Sequence, residues 1–177
     1  NFENLRLREG VTNGTGNALD NLVRGVGGAN SLAGLGGDDD LYGGTGNDTL
    51  SGGSGSDRLS GEVGTDTLTG GSGTDFFIFK DGHMGDRVAT ADLITDFTQG
   101  QADRINIRGI DANTNAGGDQ NFAFIGTAAF SNVAGQVRYF QSASRTFVEM
   151  DVNGDGVGDL FLKLDGVINL VAEDFVL

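Results

Sequence analysis

A nine-residue pattern of apolar and polar positions runs without insertion from Gly16 to Ile78. Counted from the first glycine of each copy, position 8 is always apolar, and its occupants are Val23, Leu32, Leu41, Leu50, Leu59, Leu68 and Phe77. The residues between them are polar and rich in glycine, so each copy predicts a tight turn followed by a short strand of three residues. With the position 8 side chain pointing inward, alternate copies would lie on opposite sides of a flattened coil. One full turn of that coil would take two copies.

A polar oxygen donor recurs in the same phase, at position 6 of each copy. These residues are Asn21, Asn30, Asp39, Asp48, Asp57, Asp66 and Asp75. Glycine at positions 1, 2 and 4 permits the positive φ angles of a tight turn, with backbone carbonyls turned to one side. Carbonyl and carboxylate oxygens without His or Cys suit Ca²⁺ better than zinc or copper. The repeats therefore predict calcium sites in their turns.

The glycine pattern is complete in only three copies. Their turn glycines, which we expect to contribute to calcium binding, are Gly43, Gly44, Gly46, Gly52, Gly53, Gly55, Gly70, Gly71 and Gly73. In the other copies position 2 is Asn17, Val26, Leu35 or Glu62. Because a non-glycine residue in the left-handed conformation costs roughly 1 kcal/mol, we expect those turns to be distorted or to lack an ion.

The copies GGTGNDTLS, GGSGSDRLS and GGSGTDFFI resemble the glycine-rich nonapeptide of the RTX, or hemolysin-type calcium-binding, proteins. The resemblance implies an all-β fold, a right-handed parallel β-roll, with Ca²⁺ between successive turns. In that family, backbone carbonyls and position 6 aspartates two copies apart hold the ion. Here it implies three sites with two carboxylates each: Asp39 with Asp57, Asp57 with Asp75, and Asp48 with Asp66. Asn21 and Asn30 would make weaker sites or purely hydrogen-bonded turns.

The pattern changes after Phe79, where alternating and aromatic segments predict antiparallel β-strands. These segments are Ile105–Ile107, Phe122–Ile125, Val137–Phe140, Phe147–Met150 and Leu160–Leu164. We therefore divide the chain into an entry segment (1–15), a glycine-rich β-roll (16–79) and an antiparallel C-terminal cap (80–177) that ends in a secretion signal.

Part of the cap resembles the segment that follows the repeats in serralysin-type secreted metalloproteases. The likeness lies in residues 92–97, 103–107 and 124–126, and in the closing Asp174-Phe-Val-Leu177, which is similar to the terminal element of type I secretion signals. It implies a noncatalytic C-terminal module of a larger secreted bacterial protein, with the type I secretion machinery and an upstream catalytic domain as its partners. Such a module would be extracellular and would fold on meeting calcium there.

One loop of the cap offers another candidate ion site. Asp151, Asn153, Asp155 and Asp159 match the first nine positions of an EF-hand calcium loop. Position 12, however, is Leu162 instead of the bidentate Glu, and the flanking segments predict strands instead of helices. A hairpin turn rich in Asx residues explains the same letters, so both interpretations stay open.

Charge and composition exclude several other functions. The 25 acidic and 11 basic residues give a formal net charge of −14, which argues against nucleic acid or an anionic membrane surface as a direct partner. There is no Cys, His83 is the single His, and no HExxH motif or Ser/His pair with a plausible base is present, so an autonomous enzyme is disfavoured. No apolar run approaches the roughly 20 residues that a membrane span needs.

The alternative function is a polysaccharide-binding module, similar to the repeat modules of alginate epimerases. A groove formed by Arg104, Arg108, Arg138 and Arg145 with the aromatic residues Tyr139 and Phe140 would support it. The net charge of −14 opposes binding of a polyuronate unless calcium bridges the two.

Overall fold

The computed structural model of the chain describes residues 3–177 and contains sixteen β-strands in two sheets. The strands are β1 (Glu3–Arg6), β2 (Asn13–Thr15), β3 (Asn21–Arg24), β4 (Ser31–Gly36), β5 (Asp40–Thr45), β6 (Thr49–Ser54), β7 (Arg58–Val63), β8 (Thr67–Ser72), β9 (Phe76–Lys80), β10 (Asp92–Ile94), β11 (Arg104–Gly109), β12 (Ala123–Phe124), β13 (Gln136–Ser142), β14 (Arg145–Asp151), β15 (Leu160–Asp165) and β16 (Phe175–Val176). The seven-stranded sheet has the order β1-β3-β5-β7-β9-β11-β16. The nine-stranded sheet has the order β12-β13-β14-β15-β10-β8-β6-β4-β2.

The repeats form a parallel β-roll, as predicted. Odd-numbered strands stack in one sheet and even-numbered strands in the other, and each repeat strand pairs in parallel with the strand two copies away. In register, Leu32 lies opposite Leu50, and Leu50 lies opposite Leu68. One turn of the coil therefore takes 18 residues, which is the sequence separation between Leu32 and Leu50.

The repeat strands are longer than the predicted three residues. Strand β6, for example, has six residues and runs from position 7 of one copy to position 3 of the next. The backbone ladder continues into the first three residues of the following copy, because these residues also pair in register with the equivalent residues two copies away. The prediction of a three-residue strand was wrong for this reason.

A single column of apolar side chains fills the narrow space between the two sheets of the roll. All seven position 8 residues from Val23 to Phe77 are at most 1% exposed. Ile94 in β10 and Ile105 in β11 extend this column beyond the repeats, and both are fully buried. The column joins the wider C-terminal core, where Phe77 packs against Phe97 with ring centroids 6.3 Å apart.

The flanking segments add strands to both sheets of the roll. From the entry segment, β1 pairs with β3 and β2 pairs with β4. From the C-terminal part, β10 pairs with β8, β11 pairs with β9, and β16 pairs with β11, all in parallel.

The C-terminal strands are antiparallel only in part. Strands β13, β14 and β15 form the predicted antiparallel meander. The segment Ile105–Ile107 instead lies in β11 and pairs in parallel, because it continues the stacking of the roll. The predicted strand Phe122–Ile125 is reduced to Ala123–Phe124, which also pairs in parallel. No helix within residues 3–177 is long and apolar enough to cross a membrane.

Candidate metal centre

The position 6 side chains form two columns along the two edges of the roll. In the first column, Asn21 donates its backbone N–H to Oδ1 of Asp39 at 2.7 Å, Asp39 donates to Asp57 at 2.8 Å, and Asp57 donates to Asp75 at 2.9 Å. In the second column, Asn30 donates to Asp48 and Asp48 donates to Asp66, both at 2.7 Å. We call these columns the first and second ladders. Each links residues two copies apart, which is the pairing that the resemblance to RTX repeats implied.

The second oxygen of each ladder aspartate has no hydrogen-bond partner. These unpartnered and buried atoms are Oδ2 of Asp39, Asp48, Asp57, Asp66 and Asp75. The five side chains are at most 2% exposed. A buried carboxylate without a compensating partner is costly, so the site needs a proton or a cation at these atoms.

The first glycine of each copy makes room for this oxygen. A Cβ added at Gly52 would overlap Oδ2 of Asp57 and would lie 2.6 Å from the carbonyl oxygen of Gly70 in the next turn. At Gly34 and Gly43 an added Cβ would likewise overlap the aspartate of the same copy, and it would lie 2.7 Å from a carbonyl oxygen two copies on. The missing side chain thus leaves a carboxylate and a carbonyl oxygen side by side.

The asparagine copies differ from the aspartate copies at the same place. The amide oxygen of Asn21 accepts a hydrogen bond from the backbone N–H of Asn17 at 2.7 Å, and that of Asn30 accepts one from Val26 at 3.3 Å. These turns are closed by hydrogen bonds within one copy. Of the two possibilities that the sequence offered for Asn21 and Asn30, this geometry favours the hydrogen-bonded turn.

The turn glycines at positions 2 and 4 have the predicted positive φ angles. The prediction was wrong for position 1, because Gly43, Gly52 and Gly70 lie inside strands β5, β6 and β8 and have extended backbone. At position 2, Gly44, Gly53 and Gly71 have φ angles of 104°, 118° and 105°. Leu35 and Glu62 occupy the same position with φ angles of 82° and 68°, so these turns keep the left-handed geometry at the expense of backbone strain.

Both ladders continue beyond the repeats, which the sequence analysis missed. Asp66 donates its backbone N–H to Oδ1 of Asp92 at 2.8 Å, and Asp75 donates to Oδ1 of Asp103 at 3.1 Å. Asp96 accepts the N–H groups of Gly70 and Gly71 at 2.9 and 2.8 Å. The spacing changes from 18 residues to 26 and 28 at these steps, so a search for the nine-residue period does not find them.

No three acidic, His or Cys side chains converge on one point anywhere in residues 3–177. A cation in a ladder would therefore be held by one or two carboxylates together with backbone carbonyls. A donor set made only of oxygen suits a hard cation with many ligands, as Ca²⁺ is. The residues present fit calcium.

Burial raises the pKa of the ladder carboxyls above the ordinary value of 3.8. The pKa reaches about 7 for Asp57, about 6 for Asp66 and Asp75, and about 8 for Asp92. For Asp39, Asp48 and Asp103 burial also raises the pKa. Backbone N–H donors oppose the shift in every case, while neighbouring carboxylates add to it at most of these sites.

Without calcium, the folded roll should be favoured by mild acid. The unfolded chain loses its aspartate protons near pH 4, whereas the folded ladders keep theirs until about pH 6 to 8. Folding thus takes up protons, and the resulting stability is lost as the pH rises through the folded-state pKa values. We expect the far-ultraviolet circular dichroism of the metal-free chain to gain β-signal from pH 8 to pH 5. The calcium-loaded chain should change little over that range, and a metal-free chain that loses β-signal on acidification would contradict this linkage.

The EF-hand-like loop between β14 and β15 is held by its own hydrogen bonds. The carboxylate of Asp151 accepts N–H groups from Gly154 at 2.6 Å and Gly156 at 2.9 Å, and that of Asp159 accepts one from Val152 at 2.8 Å. Asn153 donates its side-chain amide to Asp159, and Asp155 accepts from Val157. This is the geometry of a turn rich in Asx residues, and an ion at the loop stays a prediction.

The groove predicted from Arg104, Arg108, Arg138 and Arg145 does not form. The first two lie in β11 of the seven-stranded sheet and the other two in the nine-stranded sheet. Arg138 pairs with Glu149 at 2.6 Å, and Arg145 pairs with Asp165 at 2.8 Å. Of the predicted aromatic residues, Tyr139 is only 9% exposed and Phe140 stacks on Phe147.

Comparison with known proteins identifies the repeats. Residues 15–50 and 42–77 match the RTX calcium-binding nonapeptide repeat, so this part of the chain is an RTX repeat region. No curated protein matches the chain.

The chain is also similar to two solution structures from the mannuronan C5-epimerase of Azotobacter vinelandii. The AlgE6R3 subunit is 27% identical, with 91% of this chain and 80% of that chain covered and a TM-score of 0.41. The AlgE6R2 subunit is 23% identical, with 93% and 91% covered and a TM-score of 0.44.

Proposed function

We propose that this RTX repeat chain is a noncatalytic module that folds when Ca²⁺ fills its two ladders outside the cell. The observation that carries the proposal is the set of five buried aspartate oxygens without a hydrogen-bond partner. Each lies in the space left by the missing side chain of a glycine. Bound calcium would supply the positive charge that compensates these buried carboxylates.

The chain's own residues prepare the sites in three ways. The backbone N–H groups of the ladder fix one oxygen of each carboxylate and so aim the other oxygen into the glycine space. The two sheets hold successive carboxylates at a constant 18-residue register. The apolar column of position 8 residues excludes water from the side of each site that faces the core.

We assign five carboxylate pairs to calcium instead of the three that the repeats alone predicted. Asp66 with Asp92 and Asp75 with Asp103 are the additional pairs, and in both cases the second residue lies outside the repeats. Asp66 and Asp75 therefore each belong to two pairs, as Asp57 does. The last ion of each ladder would join the roll to the C-terminal part of the chain.

Replacing the last carboxylate of each ladder should remove one ion from that ladder. In Asp92→Asn and Asp103→Asn we expect about one Ca²⁺ fewer per chain by native mass spectrometry, together with a less cooperative calcium titration, since folding and binding are coupled. Asp119→Asn is the matched control, because this exposed residue carries the same charge and lies outside the ladders. An unchanged ion count in both ladder variants would show that the sites end within the repeats.

The C-terminal residues fit a signal that is read before folding. In the folded chain Phe175–Val176 forms β16 on the edge of the seven-stranded sheet. The Asp174 carboxylate is 3% exposed and accepts hydrogen bonds from Val171 and Gln99. A type I secretion machine would bind this element in the unfolded chain, at the low calcium concentration inside the cell. Deleting residues 174–177 should abolish export, and normal export of the truncated chain would refute the assignment.

A domain upstream in the same protein is the remaining part of the proposal. The serralysin-like segments at 92–97 and 103–107 favour a zinc protease there. Sequencing the gene across Asn1 tests this directly. An HExxH motif upstream would support the zinc protease. A carbohydrate-active domain upstream would contradict it.

The second candidate function is binding of an anionic polysaccharide. The observation that favours it is an uneven distribution of charge. On the outer face of the seven-stranded sheet, strands β3, β7, β9 and β11 carry five of the chain's eleven basic residues, Arg24, Arg58, Lys80, Arg104 and Arg108, although the chain as a whole has a net charge of −14.

A further inference from the structure

The loop between β10 and β11, residues 95–103, lies against the last turn of the first ladder, residues 70–75. The Asp96 carboxylate in this loop accepts two backbone N–H groups of the turn, at 2.9 and 2.8 Å. Gln101 accepts two more hydrogen bonds from the turn, through its side-chain oxygen at 3.2 Å and through its carbonyl oxygen at 2.7 Å. We call residues 95–103 the latch loop.

The latch loop ends at the ladder itself. Asp103 accepts the backbone N–H of Asp75 through Oδ1 at 3.1 Å, and it accepts the N–H of Thr98 through Oδ2 at 2.8 Å. One buried carboxylate thus bonds both a ladder aspartate and the interior of the loop. The conformation of the latch loop therefore depends on the position of Asp75, which is one of the residues that we assign to calcium.

The latch loop also holds the end of the chain. The side-chain amide of Gln99 donates to Oδ2 of Asp174 at 2.7 Å and to the carbonyl oxygen of Asn169 at 3.0 Å. Asp174 belongs to residues 172–177, which we call the C-terminal element and which include β16. A continuous set of hydrogen bonds thus leads from the last turn of the first ladder to the C-terminal element.

The Asp174 carboxylate depends on Gln99. It is 3% exposed, and within residues 3–177 it has no ion-pair partner. Its other donor among these residues is the N–H of Val171 at 2.8 Å, which lies next to the C-terminal element in the sequence. Because a buried carboxylate that loses a donor is costly, Gln99 is the donor that ties this carboxylate to the rest of the fold.

The strand of the C-terminal element is short and lies at a sheet edge. It pairs only Phe175 and Val176 with β11, and the Phe175 ring packs against Phe124 with centroids 5.2 Å apart. Chain ends of this kind open locally at a cost well below that of global unfolding. The contact with Gln99 is the part of this attachment that leads back to the ladder.

We propose that the latch loop couples the first ladder to the C-terminal element, so that calcium at Asp75 conceals residues 172–177. This inference rests on the proposed function and deepens it, because it names the ladder that controls access to the C-terminal element. An ordered turn at residues 70–75 supports the latch loop and places Gln99 against Asp174. When the site is empty, the loop loses this support and the element is released. Among the described residues, no hydrogen bond joins the second ladder to the C-terminal element.

The test is hydrogen–deuterium exchange of the full chain, read by mass spectrometry on a peptic peptide that covers residues 172–177. In the calcium-saturated variant Gln99→Ala we expect exchange of this peptide to rise at least about tenfold, because a hydrogen bond to a buried carboxylate is lost. The far-ultraviolet circular dichroism should stay that of the original chain. Gln136→Ala is the matched control, since the Gln136 side chain bonds only Ser131 among the described residues. This control should exchange like the original chain.

A second pair of variants separates the two ladders. Asp75→Asn and Asp48→Asn each remove one ladder carboxylate and keep the oxygen that accepts the ladder N–H. Both should bind fewer ions. At a calcium concentration that gives both variants the full β-signal, Asp75→Asn should raise exchange of the C-terminal peptide. Asp48→Asn should leave that exchange unchanged, because only the first ladder bonds the latch loop.

The possible failures of the latch and of calcium-coupled folding are distinguishable. Unchanged exchange in Gln99→Ala would refute the latch, and equal exchange in Asp75→Asn and Asp48→Asn would refute its link to the first ladder. Both results leave calcium-coupled folding in place, because circular dichroism measures it separately. A β-signal already present in EDTA would refute calcium-coupled folding. In that case equal exchange of the C-terminal peptide in EDTA and in calcium would refute the latch as well, and slower exchange in calcium would support it.

Discussion

The variant Gly52→Ala should lose calcium-dependent folding over the range in which the original chain folds. Gly52 does not have a positive φ angle, so alanine can adopt its backbone conformation. Its Cβ, however, would overlap Oδ2 of Asp57 and would lie 2.6 Å from the Gly70 carbonyl oxygen. Overpacking of this kind costs about 1 to 3 kcal/mol. The displaced Asp57 carboxylate also belongs to two of the carboxylate pairs that we assign to calcium. We expect the calcium midpoint of folding, measured by far-ultraviolet circular dichroism, to rise by about tenfold or more.

Gly27→Ala is the matched control within the roll. A Cβ at Gly27 meets only Oγ1 of Thr45, at 3.4 Å, and Gly27 also lacks a positive φ angle. Both variants lose the same glycine flexibility in the unfolded chain, so the difference between their midpoints isolates the crowding of the ion site. Equal midpoints for Gly52→Ala and Gly27→Ala would mean that the glycine space at position 1 does not serve calcium.

The roll was predictable because one physical constraint repeats along it. Each copy must bury an apolar residue and must also place an oxygen donor in its turn. Both requirements are met in every copy only if the copies stack at a regular interval. The sequence therefore predicted the apolar column, and the resemblance to RTX repeats implied both ladders within the repeats. It also predicted that Asn21 and Asn30 would make weaker sites or purely hydrogen-bonded turns, since pairs that contain an amide offer less charge than pairs of carboxylates.

The ends of the ladders could not be predicted in the same way. Asp92 and Asp103 continue the stacking, but the loops before them are longer, so their spacing gives no periodic signal. Their neighbours do offer a local signal, an aspartate followed closely by apolar residues. That pattern also describes an ordinary strand, which is why Ile105–Ile107 was predicted as antiparallel instead of as another layer of the roll.

The basic residues on the outer face of the seven-stranded sheet illustrate a further limit of prediction from the sequence. Sequence alone grouped Arg104, Arg108, Arg138 and Arg145 because all lie in the C-terminal half. Which arginines share a surface depends on the sheet that each strand joins, and β11 joins the roll while β13 and β14 do not. Arg24, Arg58 and Lys80 come close to Arg108 only through the 18-residue register and the parallel pairing of β9 with β11.

Removing calcium should unfold the roll at neutral pH. Residues 16–79 contain eight Asp and one Glu against two Arg, a net of seven negative charges. In the folded state five of the carboxylates are stacked and buried. One apolar residue per nine provides little compensation for a backbone entropy cost of about 1 to 2 kcal/mol per residue. The ions would supply the missing stability, so binding and folding are one transition.

The measurement that tests this most directly is far-ultraviolet circular dichroism of the chain at pH 7.5, first in EDTA and then with Ca²⁺ added to about 10 mM, above the range of extracellular calcium modules. We predict a disordered spectrum in EDTA and a cooperative gain of β-signal with calcium, which Mg²⁺ at the same concentration does not reproduce. A β-spectrum already present in EDTA, and unchanged by calcium, would contradict calcium-coupled folding.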